Sequence, residues 1–301
     1  MARSLPGFPQ VTRLAVRLSD YEDGDAPRPL NLMTHHGEVI RHPSVLGNVF
    51  LSRLTSGSSR ILALAPSVRF VLQGEEYYNI DGRLRRVRAG EFILVEAGTD
   101  SDARIPTTSE TIGLCIYLPS TPSGLVEADI GSPVIFGGGA DPFAQALDRF
   151  ARQAVCGANV DSNWIARAAA RGAEEFLARF HERRKLLRHS RPAARTEVLH
   201  RLERARAFIH GNADRTITLE DVCREAALSR FHLTRMFSEV YGVPPQSYHR
   251  QLRLDLAAIR LQHRLATPSA IARELGYGSL SAFSRAFRSR FGFPPSQQRS
   301  R

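Results

Sequence analysis

Hydrophobic and polar positions change period once along this chain, near residue 140. From Arg60 to Leu118 apolar residues fall in short runs: Ile61–Ala65, Arg69–Gln73, Tyr77–Ile80, Glu91–Glu96 and Thr111–Leu118. Turn residues separate the runs, so each predicts a β-strand. In the last run Ile112, Leu114, Ile116 and Leu118 alternate with Gly113, Cys115 and Tyr117, giving one apolar face. Asp81-Gly82 after Tyr77–Ile80 predicts a two-residue hairpin, because Asp-Gly tolerates the positive φ angles of a type I′ turn. Val11–Leu18 reads as a further strand and Asp20–Pro29 as a loop. Closely spaced antiparallel strands predict a small barrel or sandwich.

Beyond Gly137-Gly-Gly139 the period becomes helical. Asp141 with Pro142 predicts an N-cap and first helical residue, opening a helix to about Val155. A longer helix starts at Asp161 or Ser162, with Trp164, Ala168, Phe176, Leu177 and Phe180 as its apolar stripe. This pair either covers the β domain or forms a dimer interface. Ser190–Arg195 reads as a linker. Helices follow at Thr196–His210, Thr218–Ala227, Arg230–Tyr241, Pro245–Ala266, Pro268–Leu275 and Leu280–Phe291, then a turn after Pro295. Thr218-Leu-Glu-Asp221 resembles a capping box, and Gly211, Gly242, Gly276 and Gly292 stand where helices end on left-handed residues. The expected architecture is α+β and multidomain: a β domain over 1–138, a helical connector over 139–190, and an all-α domain over 191–301.

Charge separates these parts. The chain carries a formal +11, yet Arg191–Arg301 holds 19 Arg against 9 acids, a net of +10, which leaves +1 for the first 190 residues. A basic domain joined to a near-neutral one predicts a polyanion partner for the former alone. The competing readings are a solvated arginine surface and an anionic membrane; the second fits poorly, because the segment is capped and compact rather than one long amphipathic helix. No run approaches the ~18 apolar residues of a membrane span, and the first residues carry no apolar leader-like stretch. Cys115, Cys156 and Cys223 fit neither a disulfide framework nor a zinc spacing, so a reducing, cytoplasmic setting is expected.

The basic part contains one segment twice. Ser229–Pro245 recurs as Ser279–Pro295 at an offset of 50, pairing Arg235 with Arg285, Phe237 with Phe287 and Tyr241 with Phe291. A short helix precedes each copy, Val222-Cys-Arg-Glu225 matching Ile271-Ala-Arg-Glu274 at 49, so the second turn is one residue longer. Short helix, tight turn and second helix make a helix-turn-helix. On a helical wheel Leu233, Met236, Phe237, Val240 and Tyr241 share roughly 140° of arc. The opposite face carries Phe231, Arg235 and Ser238, flanked by His232 and Thr234. In the second copy Phe283, Ala286, Phe287 and Phe291 face inward, while Ser281, Arg285 and Arg288 face outward beside Ala282 and Ser284. Arg235 and Arg285 have three readings: a fork onto one guanine, a phosphate contact, or a structural ion pair. Pro245–Ala266, read as one helix of about 20 residues and about 30 Å, would span nearly the ~34 Å between successive major grooves. RNA fits worse, since its deep, narrow major groove excludes a helix.

Leu228-Ser229 through Phe237, Gly242-Xaa-Pro-Pro245, Arg253, Ile271-Ala272, Gly276-Tyr277 and Phe283–Pro295 resemble the DNA-binding domain of AraC/XylS transcriptional regulators, from Glu203 to Arg299. The resemblance implies two recognition helices in adjacent major grooves, with base-reading roles for Phe231, Thr234, Arg235, Ser281, Ala282 and Arg285. Pro244 and Gln298 depart from the family pattern, and Leu280-Ser-Ala282 is poor in hydrogen-bonding groups, so the second unit is expected to read less sequence. Phe70–Gly82 with Arg88–Val95 is similar to the cupin-like sensor domains of such regulators, which implies a β-barrel able to hold a small effector. Arg69, Tyr77 and Tyr78 are candidates to line that pocket, and Glu75 or Arg83 to fix a polar ligand.

The expected function is a sequence-specific bacterial transcription factor, nucleoid-associated, acting on promoter DNA as a homodimer, with a small-molecule effector and a contact with RNA polymerase. One rival is an architectural DNA binder without a ligand. Another is a cupin metalloenzyme, but His35, His36 and His42 precede the recognisable strands, and Glu75-Glu76 lacks a partner histidine. No metal, cofactor or catalytic residue is expected.

Overall fold

A computed structural model describes residues 12–16, 31–33, 39–40, 49–63, 65–80, 82–106, 110–119, 121–122, 125, 133–156, 161–188, 192–262 and 265–300. The chain divides into two compact units, one built on Met1–Lys185 and the other on Glu197–Arg301. Asp20–Pro29, His35, His36, His42, Asp81, Ser190 and Arg191 lie outside the described residues.

The first unit contains twelve described strands: β1 Thr12–Val16, β2 Asn31–Met33, β3 Val39–Ile40, β4 Val49–Leu54, β5 Gly57–Ala63, β6 Ser67–Gln73, β7 Glu75–Ile80, β8 Arg83–Arg88, β9 Phe92–Val95, β10 Asp100–Ile105, β11 Thr111–Tyr117 and β12 Val134–Gly137. They form a five-stranded sheet, β1-β5-β10-β7-β8, and a seven-stranded sheet, β12-β9-β6-β11-β4-β2-β3. Pairing is antiparallel except for β1 with β5 and β2 with β4, which are parallel, against the all-antiparallel expectation. The hairpin is as read: Ile80 pairs with Arg83 across a two-residue loop, and Gly82 has φ +72.

The sheets pack face to face. Val71, Ile93, Val95, Val134 and Phe136 of the larger sheet share one core cluster with Ala63, Tyr78, Ile80 and Val87 of the smaller. Two helices, α1 Pro142–Val155 and α2 Ser162–Leu186, cover the other face of the larger sheet. There Phe92 meets Phe143 of α1 at 5.1 Å and Phe176 of α2 at 4.9 Å, both edge to face. Covered on both faces, β9 is buried throughout and β11 nearly so, which is why these strands read as continuous apolar runs. Gly113 and Tyr117, placed by alternation on a non-apolar face, are therefore buried. Asp141 caps α1 through Phe143 N–H at 3.0 Å and accepts from Arg179 at 2.8 Å. Trp164, read into the apolar stripe of α2, is instead 48% exposed, edge-on to Phe150 at 5.5 Å.

The second unit is helical: α3 Pro192–Gly211, α4 Leu219–Ala226, α5 Arg230–Tyr241, α6 Pro245–Gln262, α7 Pro268–Glu274 and α8 Leu280–Phe291, then a 3-10 turn over Pro295–Ser300. Helix α3 begins inside the expected linker, because Pro192 suits a first helical turn. Gly211 ends it without a positive φ; the left-handed residue sequence reading missed is Ala227, at φ 50. Helix α6 has 18 residues, hence about 27 Å at 1.5 Å per residue. No helix among the described residues is long and apolar enough to cross a membrane.

Candidate nucleic-acid interface

Local chemistry builds the two helix-turn-helix units alike. In the first, Thr218 and Asp221 form a reciprocal capping box at the head of α4. The helix ends in a Schellman motif: Ala227 N–H donates to Arg224 O at 3.3 Å and Leu228 N–H to Cys223 O at 3.1 Å. In the second, Thr267 caps α7, while Gly276 N–H donates to Arg273 O at 3.0 Å and Tyr277 N–H to Ala272 O at 2.9 Å. Each bond recurs 49 residues on, with Ala227 standing where the second copy has Gly276. One residue then precedes the N-cap Ser229 and two precede the N-cap Ser279, so the longer second turn is localised to Tyr277-Gly278.

The N-caps start the second helices by accepting from backbone N–H groups, Ser229 from His232 at 3.3 Å and Ser279 from Ala282 at 3.1 Å. Gly242 and Gly292 end them at φ +78 and +83. Inward faces repeat closely: Leu233, Phe237, Phe283 and Phe287 have no exposed surface. The Phe237–Tyr241 rings stand 4.4 Å apart at 52°, and Phe287–Phe291 4.5 Å apart at 47°.

Outward faces differ. On α5, Phe231 is 68% exposed, and His232 Nδ1 shares a 2.9 Å hydrogen bond with Ser229 Oγ. Thr234 and Ser238 are half-buried, and Ser238 Oγ spends its proton on Thr234 O at 2.7 Å. On α8, Ser281, Arg285 and Arg288 are exposed, while Ala282 and Ser284 are half-buried. Neighbouring arginines are held by acids: Arg230 by Glu220 at 3.1 Å, Arg260 by Glu274 at 2.6 Å and Arg290 by Asp255 at 3.1 Å. Arg235, Arg285 and Arg288 form no ion pair among the described residues. The same unit contains a groove of about 410 Å³, lined by Thr218, Gln246, His249, Arg250, Arg253 and Tyr277. Burial lowers the Arg253 pKa there.

In the two-sheet unit, strand parity splits the sequence-predicted ligand residues. Tyr77 and Glu75 share the outer face of β7, where Tyr77 donates to Glu75 at 2.9 Å and Arg86 Nε to Glu75 at 2.6 Å. Arg83 is exposed beside the turn. Arg69 and Tyr78 are together in the interior, the guanidinium 4.9 Å from the Tyr78 ring centre. Beside Tyr78 lies a residue that the sequence offered only as a metal ligand without a partner histidine. Glu76 is buried, accepts from the Tyr78 hydroxyl, and is pushed upward in pKa by desolvation. Its parity with Tyr78 and Ile80 was the available signal. Cys115, half-buried nearby, has its thiol pushed up to about 11, chiefly by desolvation, as befits an unreactive structural cysteine. Among the described residues no three His, Cys, Asp or Glu side chains gather as a metal site.

Residues 222–301 match the model of a helix-turn-helix domain. The chain is 37% identical over 95 residues to the regulatory protein SoxS of Escherichia coli, covering 32% of this chain and 89% of SoxS. The chain belongs to the AraC/XylS family of transcriptional regulators. It is 38% identical over 91 residues to an AraC-like transcription regulator of Streptomyces lividans, of whose length it spans only 30%. A solved regulator from Chromobacterium violaceum with an AraC-type domain aligns at 27% identity over 33% of this chain and 89% of that one, with a TM-score of 0.32. As an AraC/XylS regulator the chain is a DNA-binding protein of helix-turn-helix type rather than an enzyme.

Proposed function

We propose that this regulator reads two successive major grooves of promoter DNA, with α5 in one and α8 in the next, and that its two-sheet unit is a cupin-like effector domain. The observation that carries the reading is the pair Arg235 and Arg285. They occupy equivalent outward positions on two helices built alike and are exposed, while neighbouring arginines are tied to acids. Their lack of an ion pair among the described residues favours a nucleic-acid role over a structural one. Phe231, His232, Thr234 and Ser238 flank the first arginine, and Ser281, Ala282, Ser284 and Arg288 the second. A linking helix of about 27 Å suits grooves that recur every ~34 Å along one side of B-DNA. Hydroxyl-radical footprinting on a selected site tests this. Two protected windows about ten base pairs apart on one face are expected; a single window would remove one reader. The exposed Val155 on α1 and Trp164 on α2 support a homodimer through these helices. A cytoplasmic, nucleoid-bound protein that touches RNA polymerase completes the reading.

A further inference from the structure

Arg69 lies inside the two-sheet unit with 2% of its surface exposed. In the large sheet its register neighbours are Ile93 of β9 and Cys115 of β11, so it shares their face, turned toward the small sheet. One of its donors is used: Nη1 gives a 3.0 Å hydrogen bond to Ser101 Oγ of β10. Its Cζ lies over the Tyr78 ring, 4.9 Å from the ring centre. Nε and Nη2, also buried, have no acceptor among the described residues.

These two nitrogens form one edge of the guanidinium, whose hydrogens point the same way and match the two oxygens of a carboxylate. At three exposed positions the chain gives that edge to an acid, whereas Arg253 of the helical unit, like Arg69, keeps the edge without a partner among the described residues. Arg53 Nε and Nη2 hold Glu110 at 2.7 and 3.2 Å, Arg152 holds Asp148 at 2.7 and 3.0 Å, and Arg290 holds Asp255 at 3.1 Å twice. Those three are exposed pairs, where water could have served instead. At Arg69, where water is shut out and an unused donor is most unfavourable, the edge meets no acid among the described residues. The buried carboxylate of Glu76 accepts from the Tyr78 hydroxyl and feels the Arg69 charge, but it makes no hydrogen bond to that edge.

We propose that this edge receives the carboxylate of a small organic acid, with Nε and Nη2 of Arg69 gripping its two oxygens. Ser101 and the Tyr78 ring fix the plane of the guanidinium. The apolar side chains of Ile93, Val71 and Phe50 on the same face suit an acid with an apolar body rather than a sugar or a nucleotide. The proposal rests on the two-sheet unit being the effector domain.

Calorimetric titration of the full-length protein with sodium benzoate and sodium octanoate tests it, beside benzamide, octanamide and inorganic phosphate. At least one acid should bind, its amide and phosphate should not, and Arg69→Gln should weaken the acid by about 10- to 100-fold. Arg69→Lys, which keeps the charge but not the fork, should also weaken it. Should Arg69→Gln fail to fold, Arg69→Lys and the ¹⁵Nε signal of Arg69, which moves when a carboxylate docks, carry the result. Acid and amide binding equally, phosphate alone binding, an acid bound undiminished by both variants, or neither acid binding would each overturn the site. DNA affinity measured with and without acid separates the two claims. Binding through Arg69 without any change in DNA affinity leaves the site standing and removes its effector role. A DNA response to acid that persists in both Arg69 variants does the reverse.

Discussion

Arg290 of α8 donates to both carboxylate oxygens of Asp255 on α6, each at 3.1 Å. The first copy has no such clamp, because the position equivalent to Arg290 is Val240, which is buried against the core instead. Helix α5 is therefore set on α6 by packing and α8 partly by a surface ion pair. Both partners are more than a third exposed, so Asp255→Ala should cost at most about 1 kcal/mol in urea unfolding. Raising the salt concentration should shrink the difference between parent and variant.

The two arginines should not be equivalent. Arg235 is flanked by Phe231, His232 and Thr234, whereas Arg285 is flanked by Ser281, Ala282 and Ser284. Arg235→Ala should lose about 1–3 kcal/mol for the selected site and much less for random DNA, as expected of a base contact. Arg285→Ala should weaken both more evenly. Gel-shift titrations on matched and scrambled duplexes measure this; an equal loss for both sequences in Arg235→Ala would make Arg235 a phosphate contact.

Legibility in the sequence followed the kind of force that fixes each element. Helices α4, α5, α7 and α8 are bounded by local signals, the caps Thr218, Ser229, Thr267 and Ser279 and the glycines Gly242, Gly276 and Gly292, so their limits were readable within a residue or two, whereas α3 starts four residues before its reading. Helix α6 fell a turn short of its reading, having no such terminator near Ala266. Strand β10, Asp-Ser-Asp-Ala-Arg-Ile, escaped notice because only Ile105 of its inward residues Ser101, Ala103 and Ile105 is a large apolar side chain. The candidate interior site was half visible. Arg69 and Tyr78 were picked out, but parity sends Tyr77 and Glu75 to the outer face and Glu76 inward, where its carboxyl accepts from Tyr78 two residues along the same strand.

Ala227 holds a backbone conformation that its side chain disfavours. At φ 50 it closes the Schellman motif that glycine closes at Gly276. A non-glycine residue there costs roughly 1–2 kcal/mol, and glycine returns part of the gain through a more flexible unfolded chain. Ala227→Gly should stabilise the protein by up to about 1 kcal/mol, read as a higher thermal midpoint, with binding to DNA retained.

His210 should make the second unit acid-sensitive. Burial, with the Arg206 charge beside it, pushes the imidazole down to about 4 from an ordinary 6.5, and Nε2 lies 2.9 Å from the Tyr248 hydroxyl. The unfolded chain then takes up a proton near 6.5 while the folded one does not. Stability is thus full above that pH and lost as pH falls toward 4, by something on the order of 2 kcal/mol. His210→Gln keeps a partner for Tyr248 and should flatten the slope of unfolding free energy against pH in that window. Some slope should persist, because burial also lowers the His249 pKa.

Gly113 is a glycine for space rather than for backbone freedom. A Cβ at this position of β11 would press on the Glu76 carboxylate and sit 2.8 Å from Ser52 Oγ, whose proton goes to Gly113 O at 3.2 Å. Both obstacles come from strands packed on either side, so neither can move away freely. Gly113→Ala should destabilise by about 1–3 kcal/mol, the usual cost of overfilling a packed interior. Glu76→Ala removes one obstacle, so the double variant should be more stable than the two single losses predict, by about 0.5 kcal/mol or more. A Gly113→Ala protein that unfolds with the parent would show that the Glu76 carboxylate does not occupy the space beside β11.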